Sequence, residues 1–262
     1  MDLNLTGRHA LVCGASEGIG RAAAHELALL GASVTLLARR AEVLAEVMAA
    51  LPRTPGEQHH DGIAVDVADA APLQAKVSAL AAARPIHILV NNTGGPPGGR
   101  AIDAVADDYL AAFHRHLLAN QLLAQLTVPG MRAAGWGRII NVVSTSVKEP
   151  IANLGVSNTI RGAVASWAKT LSKELGAYGI TVNNVLPGYT RTGRLEQILR
   201  DRVQATGKDE AAVSAAMLAS VPAGRFAEAH EVAAAIAFLA TPAAGYVNGV
   251  SLAVDGGRMQ SI

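Results

Sequence analysis

Three glycines, Gly14, Gly18 and Gly20, stand in the order G-x-x-x-G-x-G, with Ser16, Glu17 and Ile19 among the residues between them. An apolar run, Ala10 to Cys13, leads into them, and an Ala-rich helical pattern, Arg21 to Leu30, follows at once. That order suits one chemistry. A buried strand ends, the backbone turns tightly without Cβ interference, and a helix N-terminus aims its free N–H groups at a pyrophosphate. A glycine motif alone is weak, and its strand–turn–helix context is what gives it weight. The competing reading is a glycine-rich turn with no ligand. Cys13 is the only cysteine, so no internal disulfide forms, which fits a reducing cytoplasm. Its neighbours suggest a small buried apolar side chain rather than a reactive thiol.

Such a turn needs a sheet to hold it. Short β-branched runs alternate with longer helical patterns along the whole chain. The strands are expected at His9–Cys13, Ser33–Leu37, Gly62–Val65, Ile86–Val90, Arg138–Val143, Thr181–Leu186 and Val250–Val254. Helices are expected near Gly18–Leu30, Ala41–Ala50, Pro72–Ala82, Ala106–Ala134, Leu154–Tyr178 and Glu228–Ala240. Continuous apolar strands bounded by helices imply a parallel sheet covered on both faces. With right-handed crossovers the expected class is α/β, a doubly wound Rossmann arrangement of seven strands. One stretch breaks the alternation. From Tyr189 to Val221, Leu195, Ile198, Leu199 and Val203 recur at helical spacing, as do Val213, Met217 and Leu218. An insertion at the C-terminal end of the strands is where a substrate lid would sit, and a lid must itself pack.

The 262 residues suit one large domain, with no composition break inside residues 1–262 to mark a second. A chain of that size buries enough apolar surface to need no metal or disulfide. A net charge of +1, without a basic block, argues against nucleic acid and anionic membrane as partners. The start, Met1 to Gly7, lacks the regions of a signal peptide, and the longest apolar stretch, Val232 to Ala240, is too short to span a bilayer. A cytoplasmic location is expected.

The glycine spacing resembles that of the short-chain dehydrogenase/reductase family, T-G-x-x-x-G-x-G, with Cys13 in place of the usual Thr. Further motifs follow in the family's order over nearly the whole chain. Asp66-Val67 ends the third strand, where the resemblance implies contact with the adenine. Asn91-Asn92-Thr93-Gly94 is similar to N-N-A-G and would pass under the adenosine ribose. Pro187-Gly188-Tyr189-Thr190-Arg191-Thr192 resembles P-G-x-x-x-T, implying that Thr190 and Thr192 hold the nicotinamide amide and phosphate. Val254-Asp255-Gly256-Gly257 resembles the family's V-D-G-G ending. NAD-binding members carry an acid at the end of the second strand for the ribose hydroxyls. Here that position is Ala38, followed by Arg39-Arg40, whose guanidinium forks favour a 2′-phosphate. Glu17 argues the other way. Arg39 directly follows the strand end and carries more weight, so NADP(H) is expected over NAD(H).

Most members of the family work with Asn, Ser, Tyr and Lys. Asn141-Val142-Val143-Ser144 ends the fifth strand, so Ser144 matches the serine that holds the substrate carbonyl. Where Tyr-x-x-x-Lys is expected the chain reads Ser157-Asn158-Thr159-Ile160-Arg161. Ser157 thus replaces the tyrosine and Arg161 the lysine. His116 falls where the asparagine is expected, with Asn120 one turn further on. A serine is a far weaker acid than a phenol, and Arg161 bonds ribose hydroxyls without relaying protons. The combination resembles an atypical branch of the family labelled 3-oxoacyl-acyl-carrier-protein-reductase-like, with N-N-T-G-G-P-P at Asn91–Pro97 and S-N-x-x-R at Ser157–Arg161. Tyr189, His116 or a water among Ser144, Ser157 and Arg161 would then supply the proton.

The expected function is an NADP(H)-dependent oxidoreductase that interconverts a ketone and a secondary alcohol. The alternative is a nucleotide-binding protein without dehydrogenase turnover, a sensor or partner subunit, and a third reading is a dehydration or isomerisation on the same site without net hydride transfer. The resemblance also implies a homotetramer, with a dimer as runner-up, and with the helices of Ala106–Ala134 and Leu154–Tyr178 and the ending Tyr246 to Gly257 at its interfaces.

Overall fold

The computed structural model describes residues 1–54 and 57–261. The described strands are β1 (His9–Cys13), β2 (Ser33–Ala38), β3 (Asp61–Ala64), β4 (Ile88–Asn91), β5 (Gly137–Val142), β6 (Ile180–Pro187) and β7 (Ser251–Val254). They form one parallel sheet in the order β3-β2-β1-β4-β5-β6-β7. The helices between them are α1 (Gly18–Leu29), α2 (Ala41–Ala49), α3 (Ala70–Ala83), α4 (Ala106–Phe113), α5 (Ala119–Ala133), α6 (Gly155–Leu175), α7 (Gly193–Thr206), α8 (Glu210–Leu218) and α9 (Ala229–Ala240).

Alternation along the strands divides the core in two. Ala10, Val12, Val34, Leu36, Ile88 and Val90 point to one face, against Ala23, Ala24 and Leu27 of α1 and Val232, Ala233 and Ile236 of α9. Leu11, Cys13, Leu37, Leu89 and Ile139 point to the other, against α3, α5 and α6. The small buried side chains of α1 recur three and four residues apart and let the helix lie close to the sheet. The strand order reverses between β2-β1 and β1-β4. At that reversal a crevice opens at the strands' C-terminal ends.

The expected elements are found, mostly with ends shifted by a residue or two. Three differences have physical causes. The helix expected over Ala106–Ala134 is not a uniform α-helix, because His114–Leu118 turns as a π-helix between α4 and α5. The extra residue per turn carries His116 inward, where it is 2 % exposed. The edge strands β3 and β7 are not the buried runs expected of a sheet covered throughout. Asp61, Gly62, Leu252 and Ala253 are exposed. The helix expected over Leu154–Tyr178 ends as a 3-10 turn, Gly176–Tyr178, closed by left-handed Gly179 at φ 71°.

A row of amides crosses the sheet below the crevice. Asn91, Asn141, Asn184 and Ser251 are register partners on β4, β5, β6 and β7. Asn91 Nδ2 donates to Asn141 Oδ1 at 2.9 Å, and Asn141 Nδ2 donates to Asn184 Oδ1 at 3.1 Å. Asn184 Nδ2 donates to Ser251 Oγ at 3.1 Å. A slip of one residue on any strand would turn an amide to the opposite face and bury it unpaired. Asn141→Leu should leave Asn91 Nδ2 and Asn184 Oδ1 without partners and cost roughly 2–4 kcal/mol of stability. Urea unfolding of both proteins checks this, and a loss below that range would show that water replaces the amide.

Candidate active site

The crevice opens into a cleft of about 1050 Å³ that runs from the glycine turn to Ser144 and α7. Its first wall is the turn after β1. Gly14 and Gly18 have φ of 60° and 56°, the left-handed region that glycine enters without strain. A Cβ on Gly14 would lie 2.6 Å from the Asn92 carbonyl oxygen, and one on Gly20 would lie 2.2 Å from that of Gly14. Asn92 Nδ2 sits 3.4 Å from the carbonyl oxygens of Cys13 and Gly14, tying the end of β4 to the end of β1. Backbone therefore packs on backbone, and the first amides of α1 face the cleft. This cradle fits a dinucleotide pyrophosphate. Cys13 is buried behind it, and burial pushes its thiol up to about 12.

Charges gather at one end of the cleft. Arg40 Nη2 pairs with Glu17 Oε2 at 3.0 Å. Arg39 Nη1 is 4.0 Å from Asp66 Oδ2, and Arg115 of the π-turn is 3.8 Å from the same oxygen. Asp66 Oδ1 accepts from the Ala68 amide, which fixes the carboxylate's orientation. Ser16, Ile19, Val67, Thr93 and Gly94 also line this half.

The middle of the cleft is built by crossing loops. Gly188 donates to the Val254 carbonyl at 2.9 Å, and a Cβ on Gly188 would lie 2.7 Å from the Asp255 Cα. Pro187-Gly188 therefore crosses directly over Val254-Asp255. The Asp255 carboxylate then accepts from Gly257 and Met259 amides, and left-handed Gly256 and Gly257 bring the chain back toward the cleft. Thr190 is buried against Ala227, while Thr192 packs over Gly18, its Cγ2 3.1 Å from where a Gly18 Cβ would be.

Ser144 follows β5, and its Oγ accepts from the Ser146 amide at 3.1 Å. Ser157 and Arg161 lie one turn apart on α6 and both line the cleft. Arg161 donates to the Val142 carbonyl at 2.8 Å and the Thr93 carbonyl at 3.3 Å. Burial first, and then the Arg194 cation, bring its guanidinium down to about 10. Tyr189 lines the cleft with its ring edge-on to Phe226, and the Arg258 guanidinium lies 4.7 Å from its centroid.

His116 is placed differently from Ser144, Ser157, Arg161 and Tyr189. It does not line the cleft but sits behind Thr93, with Nδ1 2.7 Å from Thr93 Oγ1 and Nε2 buried without a partner. Burial first, then the Arg161 and Arg115 cations, push it down to about 3. Asn120 is buried on α5 and does not line the cleft either.

The sequence reading missed several lining residues. Arg115, Arg194 and Arg258 are three of them, and single arginines inside helical or terminal segments carry no local signal. A fourth is Asn153, a non-glycine residue at φ 60° whose carbonyl accepts from the Gly99 amide. With the Gly99–Leu154 bridge it holds the glycine-rich loop after Gly94 as the cleft's outer wall. The repeated glycines from Gly94 to Gly99 were the available sign.

Known proteins bear on this site. A family model described as enoyl-(acyl carrier protein) reductase matches residues 14–258. The 3-oxoacyl-[acyl-carrier-protein] reductase FabG of Vibrio harveyi is 34% identical over 258 residues, covering 97% of this chain and 98% of that one. The crystal structure of L-sorbose reductase from Gluconobacter frateurii, complexed with NADPH and L-sorbose, superposes with a TM-score of 0.92 at 30% identity over 100% of both chains. Actinorhodin polyketide ketoreductase with NADPH gives 0.89 at 29% identity, over 97% of this chain and 98% of that one. The chain belongs to the short-chain dehydrogenase/reductase family of oxidoreductases, and within it is similar to the 3-oxoacyl-acyl-carrier-protein reductases.

Two buried histidines contribute to the acid response. His116, at about 3, and His9, lowered by burial to about 4, stay neutral in the folded protein while an unfolded chain protonates them near 6.5. The unfolded state therefore binds more protons in that window, and stability falls as pH drops. Each histidine should contribute a slope of about 1.4 kcal/mol per pH unit between roughly pH 6 and 4. His116→Asn should remove one histidine's share, as measured by urea unfolding across that range. An unchanged slope would refute the assignment.

Proposed function

We propose that this chain is an NADP(H)-dependent oxidoreductase that interconverts a ketone and a secondary alcohol. One observation carries the reading. A single cleft joins the glycine cradle to the Ser144 and Ser157 hydroxyls, the Arg161 guanidinium and the Tyr189 phenol. NADPH, when bound, supplies the hydride. Gly14 to Gly20 and Asn92 to Gly94 would hold its adenosine and pyrophosphate, and Pro187, Gly188, Thr190 and Thr192 its nicotinamide end. Relatives crystallised with NADPH support this choice.

The residues divide the work. Ser144 Oγ already accepts from Ser146, so its own proton is free for the carbonyl oxygen. Arg161 is fixed by two carbonyls, remains charged, and serves to bond ribose hydroxyls. Ser157 adds a second hydroxyl. Tyr189 is the proposed proton donor, because it is the phenol among the described lining residues and His116 is shut out and neutral. Residues 189–221 are proposed as a lid on a single domain spanning 1–262. Leu195, Leu199, Val213, Met217 and Phe226 form a small core of their own, apart from the two sheet faces. No helix among the described residues is long and apolar enough to cross a membrane.

The second reading, nucleotide binding without turnover, is favoured by Ser157 and Arg161 in place of tyrosine and lysine. A screen of ketones and alcohols following reduced-cofactor absorbance separates the two. On any accepted substrate Ser144→Ala should abolish turnover. Tyr189→Phe should lower kcat by about two to four orders of magnitude. Cofactor binding with no turnover in the wild type, but turnover in Ser157→Tyr/Arg161→Lys, would establish the second reading.

Cofactor preference follows from the ion pairs. Glu17 is engaged by Arg40, which leaves Arg39 the freer cation for a 2′-phosphate. Calorimetric titration should show NADPH binding more tightly than NADH, and Arg39→Asp should reverse the order. Equal affinities in the wild type would refute it. A homotetramer is proposed from the exposed Leu110 and Leu118 beside the π-turn and Leu252 on edge strand β7. Light scattering that gives a monomer at micromolar concentration would exclude it.

A further inference from the structure

Two guanidinium groups converge in the cleft with no acid between them. Arg161 Nη2 and Arg194 Nη2 lie 3.6 and 3.7 Å from the point that a Cβ on Gly95 would occupy. Arg161 rests on the Val142 and Thr93 carbonyls, and Arg194 donates to the Pro96 carbonyl at 2.8 Å. Among the described residues neither has a carboxylate within ion-pair distance. Asp201, two turns along α7, reaches Arg194 only through its field, and its Oδ1 already accepts from Gln197. A third cation lines the same cleft. Arg258 donates to Thr145 Oγ1 at 3.2 Å, stacks on Tyr189, and keeps its Nε buried without a partner.

Burying cations against carbonyl dipoles alone is costly, and burial lowers both Arg161 and Arg194. A site of this kind is completed by an anion. The cofactor's pyrophosphate belongs at the glycine turn, under Thr192. Arg194 instead bonds the carbonyl of Pro96 and adjoins Arg161 beside Gly95. A Cβ on Gly95 would stand in ordinary contact with both guanidiniums, so the two reach the same point of the cleft.

We propose that the cleft takes a carbonyl compound bearing a carboxylate or a phosphate, and that Arg194 holds this oxyanion with Arg161 facing it. The proposal rests on reading the cleft as a ketone-reducing site. A neutral sugar or a neutral ester would leave both cations unpaired and bind poorly by comparison. Arg194 thus acts in specificity, away from the carbonyl that Ser144 receives.

The test reads binding rather than turnover. NADPH-loaded protein is titrated calorimetrically with malonate, inorganic phosphate and the neutral control malonamide. An anion should bind about 10- to 100-fold more tightly than malonamide, the worth of a charge-assisted hydrogen bond. Arg194→Gln should remove that margin, Arg194→Lys should keep part of it, and NADPH affinity should be unchanged in both. Tighter malonate assigns a keto acid, and tighter phosphate a phosphorylated ketone. Malonamide binding as well as both anions overturns the proposal, as does anion binding that survives Arg194→Gln. A fall in NADPH affinity overturns it too, because Arg194 would then serve the pyrophosphate. If the anion site holds but no ketone of any charge is reduced, the reductase reading fails and the anion site stands.

Discussion

How closely the chain leaving β1 passes the chain leaving β4 governs the rest of this molecule. Backbone meets backbone there. Gly14 and Gly20 leave no room for a Cβ, and the Asn92 amide bridges the carbonyls of Cys13 and Gly14. That contact fixes the width of the crevice at the strand-order reversal. It also fixes where α1 starts, and so where its free amides point. Every other wall is set relative to this seam, because β5, β6 and β7 follow from β4 by register.

Beyond the seam, the site is made of hydroxyls and guanidiniums. Its acids are already engaged, Asp66 and Glu17 with Arg39 and Arg40, and Asp255 in turning the chain. Its histidine is neutral and hidden. In the proposed ketone reduction, the proton would travel through weak acids held near cations, rather than through a group that changes charge near neutrality. Arg161 suits that arrangement in one respect: it keeps its charge even when fully enclosed, whereas a lysine in the same place would lose its charge more readily.

Much of this was legible in the residues. Alternating apolar strands and Ala-rich helices announced the doubly wound sheet, since each pattern is local and repeated. The glycine turn, Ser144, Ser157, Arg161 and Tyr189 were found from motif spacing, and they share one cleft. The π-turn was not legible. Nothing in His114 to Leu118 disfavours an α-helix, and His116 turns inward beside Thr93, a partner 23 positions away. Arg194 and Arg258 were missed for a similar reason. Their meaning lies in what surrounds them after folding: a carbonyl, a second cation, and a missing carboxylate. The exposed edges β3 and β7 escaped notice because an edge strand and a central one differ by neighbours, which a single strand's sequence does not reveal.

Cys13 has a practical corollary. As the only sulfhydryl in the chain, buried at 1 % exposure and held in its protonated form, it is shielded from alkylating dyes and from mild oxidants. A cysteine introduced on the outer surface of α7 would then be the single reactive handle on the protein. A fluorophore attached there would report the surroundings of the cleft mouth, with no need to rebuild the chain in a cysteine-free background.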